Sequence, residues 1–183
     1  MVRHAPTHAR AMIGWTDLPA DLSDAAALAR LAAHLPPGAP VVSSDLARAV
    51  ATADALGPRP RLPHDPAFRE IHFGQWETRG FAEIEAESPD RIRAFWESPG
   101  DTRPPDGESW NDLTARSWAA LDRLHGTAPD LVVVAHFGPI LAAVQRAAGL
   151  SPAAAFAHRI DTLSVTCLTL GPPPQLFALN HRP

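Results

Sequence analysis

The chain predicts an α/β fold, a three-layer α/β/α sandwich with a mainly parallel central sheet. Three observations carry that reading. Short β-branched runs alternate with Ala/Leu-rich stretches of helical spacing. Leu131-Val-Val-Val-Ala135 is apolar throughout, as a strand covered on both faces must be. The 183 residues, 45% apolar and 20% charged, suit one domain, 1–183, with a real core.

The elements follow in order. A first strand feeding Arg3 would be a stub, because the chain reads Met-Val-Arg-His. The sheet then manages with a very short central strand, or further strand residues precede Met1. Ser23-Asp24 caps a helix to about His34. Val41 to Ser43 is a buried strand, and Ser44 is expected to cap a helix through Leu56. Arg61 to His64 offers another strand. Phe81–Glu87 and Asp90–Glu97 read as short helices, and Ser109 caps a longer one through His125. Pro139 is expected to open a helix to about Ala148. Leu163–Leu170 and Gln175–Leu179 form the last two strands, joined by the turn Gly171-Pro-Pro-Pro174.

Composition narrows the function. A net charge of -4 gives no global positive field, so neither nucleic acid nor an anionic membrane is the expected partner. Any phosphate site must come from local Arg and His. The one cysteine, Cys167, sits in an apolar run and reads as a small buried hydrophobe. No stretch is long enough to span a bilayer, and no apolar leader follows Met1, which points to the cytoplasm. The sequence does not choose between a monomer and a homodimer.

Three segments follow predicted strands with charged or imidazole residues: Arg3-His4, Ser43 to Arg48, and His136 to Pro139. A parallel sheet gathers all three at one edge, where ligands of such sheets sit. Two arginines and two histidines there make an oxyanion site, because guanidinium offers a fixed fork of donors. Imidazole attacks phosphorus only when neutral, and nearby guanidinium charges would keep His4 so. The leaving alkoxide needs a proton, and Glu70 is the candidate acid.

These blocks resemble the histidine phosphatase superfamily, with its phosphoglycerate mutase-like fold. Arg3-His4-Ala5-Pro6-Thr7 is similar to its opening Arg-His-Gly-x-Thr motif. Ser43 to Ala49 with Thr52-Ala53 resembles its Ser-Ser-x-Leu-x-Arg-Ala-x-x-Thr-Ala block. Glu70 with Phe73-Gly-Gln-Trp-Glu77, then Gly107-Glu-Ser109, then Val133 to Gly138, resemble the remaining blocks in family order. The resemblance implies that His4 carries the phosphoryl group. It implies that Arg3, Arg48 and His136 bind phosphate, that Glu70 is acid then base, and that Thr7 touches the phosphate. It implies no cofactor and no metal.

The sequence departs from the pattern at Ala5 and Phe137, which stand where the family has glycine. Arg10 stands where many members carry an Asn that holds phosphate, and so becomes a phosphate contact. Trp15 and Phe137 are placed at the pocket, and His8 and His72 lie close to the key residues in sequence. The stretch Ile13 to Pro19 is similar to one in small members, including alpha-ribazole phosphatase. The expected activity is a metal-independent phosphomonoesterase acting through phosphohistidine on a small phosphorylated metabolite. Alpha-ribazole 5′-phosphate is the named substrate, beside a broad range of sugar or nucleotide phosphates. The alternatives are a degenerate member that only binds a phosphorylated ligand or partner protein, and a mutase-like phosphotransferase.

Overall fold

The computed structural model describes the whole chain, Met1–Pro183. Five strands form one sheet: β1 (Val2–Arg3), β2 (Val41–Ser43), β3 (Val132–Ala135), β4 (Val165–Thr169) and β5 (Gln175–His181). Their order is β2-β3-β1-β4-β5. β2, β3 and β1 are parallel, with Val42 opposite Val133 and Val2 opposite Val134. β4 and β5 join as antiparallel strands, Val165 opposite Val2 and Ala178 opposite Cys167. The sheet is therefore mixed. It is parallel where the strand ends converge on the site, and antiparallel only through the C-terminal hairpin.

Seven α-helices flank it: α1 (Ala25–His34), α2 (Ala47–Asp54), α3 (Phe81–Glu87), α4 (Pro89–Glu97), α5 (Trp110–Leu124), α6 (Phe137–Ala148) and α7 (Pro152–Phe156). Side chains alternate across a strand, so neighbouring valines support opposite layers. Val2, Val41, Val132 and Val134 meet Leu31 of α1 and Ala49 and Ala53 of α2. Val42, Val133 and Ala135 meet Leu113 and Leu121 of α5 and Ile140 and Leu141 of α6. Each fully buried aliphatic side chain contributes roughly 1.5–3 kcal/mol, so a polar residue within β3 would disrupt both layers. No helix is long and apolar enough to cross a membrane.

Several boundaries differ from the sequence reading. Asp24 and Ser109 cap α1 and α5 as expected, the latter through a reciprocal capping box with Asp112. Ser44 does not cap α2. The helix starts later, at Ala47, whose N–H donates to Asp17 Oδ1 at 2.7 Å from a distant loop. Arg61 to His64 forms no strand; only Arg61 bridges to Val41. α6 begins at Phe137, because Pro139 is tolerated in a first turn, where its missing N–H has no intrahelical role. It stops at Gly149, whose φ of 63° is the left-handed conformation that ends helices. α7 was not foreseen, although Ser151 caps it and Pro152 opens it. Cys167 is exposed and not buried, because β4 borders an open groove at that point.

Candidate active site

The three parallel strands end together, and each delivers one part of the site. β1 ends in Arg3-His4, β3 in His136, and β2 leads into the loop before α2, which carries Arg48. Glu70 arrives from the irregular segment between the turn Pro66–Phe68 and the turn Gly74–Trp76. His4, Arg48, Glu70 and His136 are all buried, with His4 retaining 7% exposure. Arg3 is half-buried. The His4 and His136 rings lie 4.9 Å apart between centroids, tilted by 57°.

The hydrogen bonds settle which ring nitrogens are available. His4 Nδ1 donates to its neighbour's carbonyl, Ala5 O, at 2.7 Å, which leaves the Nε2 lone pair free. Arg48 Nε donates to His136 Nδ1 at 3.2 Å, so the His136 proton resides on Nε2. That Nε2–H is buried and has no protein partner. One imidazole thus presents a nucleophile and the other a donor.

Neither arginine of the site hydrogen-bonds to a carboxylate. Arg48 is only 1% exposed, and its partners are His136, Thr16 O at 3.0 Å and Gly14 O at 2.6 Å. Arg3 donates to Ile160 O at 2.5 Å, and its Nε is buried without a partner. Every partner of the two guanidinium groups is uncharged. Glu70 and, farther out, Asp17, Glu77 and Asp161 offset the two cations only through space, so donors remain for an anionic ligand. Burial, reinforced by the Arg48 and Arg3 charges, pushes the His4 pKa down to about 3, so the ring is neutral near pH 7. Burial and the neighbouring cationic groups hold His136 well below its ordinary value too.

Glu70 shifts the other way. Burial raises its pKa, against the opposing pull of Arg3, Arg48 and two backbone donors. Oε1 accepts from Ile71 N at 2.9 Å and from Gly138 N at 3.0 Å, and Oε2 takes only a longer share of the Gly138 N–H at 3.3 Å, so Oε2 is the less engaged oxygen for a proton. Gly138 lies in the first turn of α6, where the helix end favours an acceptor. A methyl group there would overlap Glu70 Oε1 unless the carboxyl moved.

The other sequence candidates divide. Phe137 opens α6, and its ring centroid lies 5.6 Å from the Arg3 guanidinium carbon. Trp15 lies at the rim, 36% exposed, donating from Nε1 to Glu70 O at 2.8 Å and stacking 4.6 Å from His72. Thr7 is half-buried and Arg10 exposed; neither hydrogen-bonds to the four buried groups. His8 turns away at a φ of 56° to bond Asp21 at 2.6 Å. Ala5, in place of glycine, has no positive φ and donates to Thr52 Oγ1 at 2.9 Å, so its methyl brings no backbone strain. No cluster of three His, Cys, Asp or Glu side chains is spaced to hold a metal ion.

Three supports were given no role in the sequence reading, although Thr52 and Glu77 stand in its motif blocks. Thr52 ties the His4 loop to α2 by accepting from Ala5 N and donating to Arg48 O at 2.7 Å. Glu77 accepts from Gly14 N, Trp15 N, Thr16 N, Thr16 Oγ1 and Phe73 N, and so fixes the loop whose carbonyls hold Arg48. Arg116 donates to Ala67 O, Arg69 O and Glu70 O while pairing with Glu108, and so fixes the Glu70 segment. The signal for Arg116 was a charge on the core-facing side of α5, between Leu113 and Ser117.

The sequence model of the histidine phosphatase superfamily (branch 1) matches residues 1–177. The chain belongs to that superfamily. Among relatives of this histidine phosphatase domain, the glucosyl-3-phosphoglycerate phosphatase of Mycolicibacterium vanbaalenii is 36% identical over 169 residues, covering 82% of this chain and 73% of that protein. Its Mycobacterium tuberculosis counterpart is 37% identical over 114 residues, 56% of this chain. The match spans 51% of that relative, about half its length. The structure of the alpha-ribazole phosphatase from Shigella flexneri superposes with a TM-score of 0.84, covering 99% of this chain and 95% of that one at 21% identity. At that identity the likeness is one of fold.

Proposed function

We propose that this protein is a metal-independent phosphomonoesterase that works through a phosphohistidine at His4. The observation that carries the reading is the neutral His4 imidazole, with Nε2 free, beside the buried Arg48 and half-buried Arg3 guanidinium groups, neither of which hydrogen-bonds to a carboxylate. In the first step His4 Nε2 attacks phosphorus, the N–P bond forms and the ester P–O bond breaks. The proton held by Glu70 goes to the leaving alkoxide oxygen. In the second step water attacks the phosphohistidine and gives a proton to Glu70; the N–P bond breaks and inorganic phosphate leaves. Arg3, Arg48 and His136 Nε2–H stabilise the equatorial oxygens, where preorganised charge acts most strongly on the transition state.

The substrate class is a small phosphomonoester with a polyol or sugar body, for which the partly exposed Trp15 ring, held between His72 and Arg69, offers apolar surface at the rim. Glucosyl-3-phosphoglycerate ranks first among named candidates, because the relatives acting on it share over a third of their aligned residues with this chain. Alpha-ribazole 5′-phosphate ranks second, supported by likeness of fold. The test is rapid quench with ³²P-labelled substrate in the presence of EDTA. Acid-labile, alkali-stable label should appear on the wild-type chain and not on His4→Asn. Turnover abolished by EDTA would overturn the metal-free step, and ligand binding without label would favour the degenerate reading.

A further inference from the structure

The two arginines of the site are aimed by unequal means. Arg48 has three partners, His136 Nδ1 and the carbonyls of Gly14 and Thr16. The Arg3 side chain makes a single hydrogen bond within the protein, from Nη1 to Ile160 O at 2.5 Å. Phe137 packs beside the guanidinium but supplies no acceptor along its plane. Whatever fixes the Ile160 carbonyl therefore fixes Arg3.

That carbonyl belongs to the same planar peptide group as the Asp161 N–H, and the two point in opposite directions. The Asp161 N–H donates to Asn180 Oδ1 at 2.6 Å. One rigid unit thus joins the Asn180 amide to the Arg3 guanidinium, and the two hydrogen bonds in series polarise each other. Asn180 Nδ2 also donates to Asp161 Oδ2 at 3.3 Å, while Arg159 Nε donates to Oδ1 at 2.6 Å. The Asp161 charge reaches Arg3 through space. With both oxygens engaged elsewhere, this carboxylate does not close on Arg3 and take the donors a phosphate needs.

β5 is deformed where it makes this contact. Val165 pairs with His181 and Cys167 with Ala178, so Thr166 alone stands opposite both Leu179 and Asn180. At this bulge Asn180 has a φ of 54°, and its N–H donates to Thr166 Oγ1 at 3.4 Å. A bulge beside an active site re-aims a side chain, and asparagine accepts the left-handed conformation more readily than most residues.

We propose, on the reading of Arg3 as a ligand of the phosphoryl group, that Asn180 is the positioning residue that aims it, acting through the Ile160–Asp161 peptide. The experiment titrates the full chain with inorganic phosphate by calorimetry. Asn180→Gly keeps the left-handed backbone and removes only the side chain. The phosphate Kd should rise about 10-fold, and kcat/KM for 4-nitrophenyl phosphate should fall roughly 10- to 100-fold, as for a displaced charged donor. On an Arg3→Ala background the same change should alter the phosphate Kd by less than about twofold, because the effect passes through Arg3. Asn180→Asp combined with Asp161→Asn exchanges the amide and the carboxylate and restores both contacts, so Kd should return to within about threefold of the wild type. An Asn180→Gly chain with wild-type Kd, an equal loss with and without Arg3, or an exchanged pair as weak as Asn180→Gly would each overturn the proposal. Phosphate binding unaffected by Arg3→Ala would instead remove Arg3 as a ligand, and the role of Asn180 with it.

Discussion

Gly138→Ala tests whether Glu70 works as an acid held in place by the first turn of α6. A methyl group at residue 138 overlaps Glu70 Oε1 and approaches Leu113 Cδ1 to 2.7 Å. Leu113 is fully buried, so the methyl cannot be relieved on that side. Ordinary carbon contacts lie near 3.5–4.0 Å, so the carboxyl must retreat by about 1 Å. The retreat breaks the 3.0 Å bond from Gly138 N, and a displacement of that size at a reacting group costs roughly 100-fold. The assay compares kcat/KM for an alkyl phosphate and for 4-nitrophenyl phosphate, since kcat/KM reports phosphoryl transfer to His4 and not the later hydrolysis. The alkyl ester should lose about 100-fold, within the range general acids contribute. The nitrophenyl ester leaves without a proton and should lose under about 10-fold by the same reasoning. Overpacking also costs about 1–3 kcal/mol, so the comparison is made well below the variant's Tm. Equal losses on the two esters, or no loss on either, would refute the role given to Glu70.

The supporting residues and the buried imidazoles give three more expectations. Arg116→Lys keeps the charge but not the fork that holds three carbonyls, so kcat should fall roughly 10- to 100-fold with KM little changed; an unaltered kcat and pH profile would remove Arg116 as a positioning residue. Glu77→Ala strands the donors of the Gly14–Thr16 loop and should cost roughly 3 kcal/mol in urea unfolding, with a raised KM from the loosened Arg48; a loss below about 1 kcal/mol would refute it. His4 has a folded pKa of about 3, below its unfolded value near 6.5, so the unfolded chain binds more protons between those pH values and stability falls as pH drops through them. From pH 6.5 to 4.5 this amounts to roughly 2–3 kcal/mol, to which His136 adds in the same direction; His4→Gln should flatten the dependence, and stability constant or rising toward pH 4.5 would contradict the burial argument.

How much of this was legible in the sequence depends on whether a residue's role is local. β3 announced itself, because a strand covered on both faces has no polar position to confuse its pattern. The caps of α1 and α5 were legible because the capping residue lies within three positions of the amide it serves. α2 was misplaced because its first amide is served by Asp17, thirty residues away, and nothing at Ser44 could reveal that. Cys167 was misjudged for a related reason: an apolar run predicts burial only if a neighbouring strand covers it, and beside β4 the groove is open.

The active site divides along the same line. That His4, Arg48 and His136 come together was legible because a parallel sheet converts three strand ends, distant in the chain, into one edge. Their tautomers could not be found that way. The free Nε2 of His4 depends on a bond to Ala5 O, and the Nε2–H of His136 depends on Arg48 Nε, which is aimed in turn by the carbonyls of Gly14 and Thr16. Those carbonyls are held by Glu77, a residue of quite another segment. The free lone pair and the free N–H are therefore distinguished by a chain of contacts running from Glu77 through the loop to Arg48 and the second imidazole. Histidines of identical type, at the ends of adjacent strands, present opposite ring atoms because only one of them lies beside the Arg48 Nε–H.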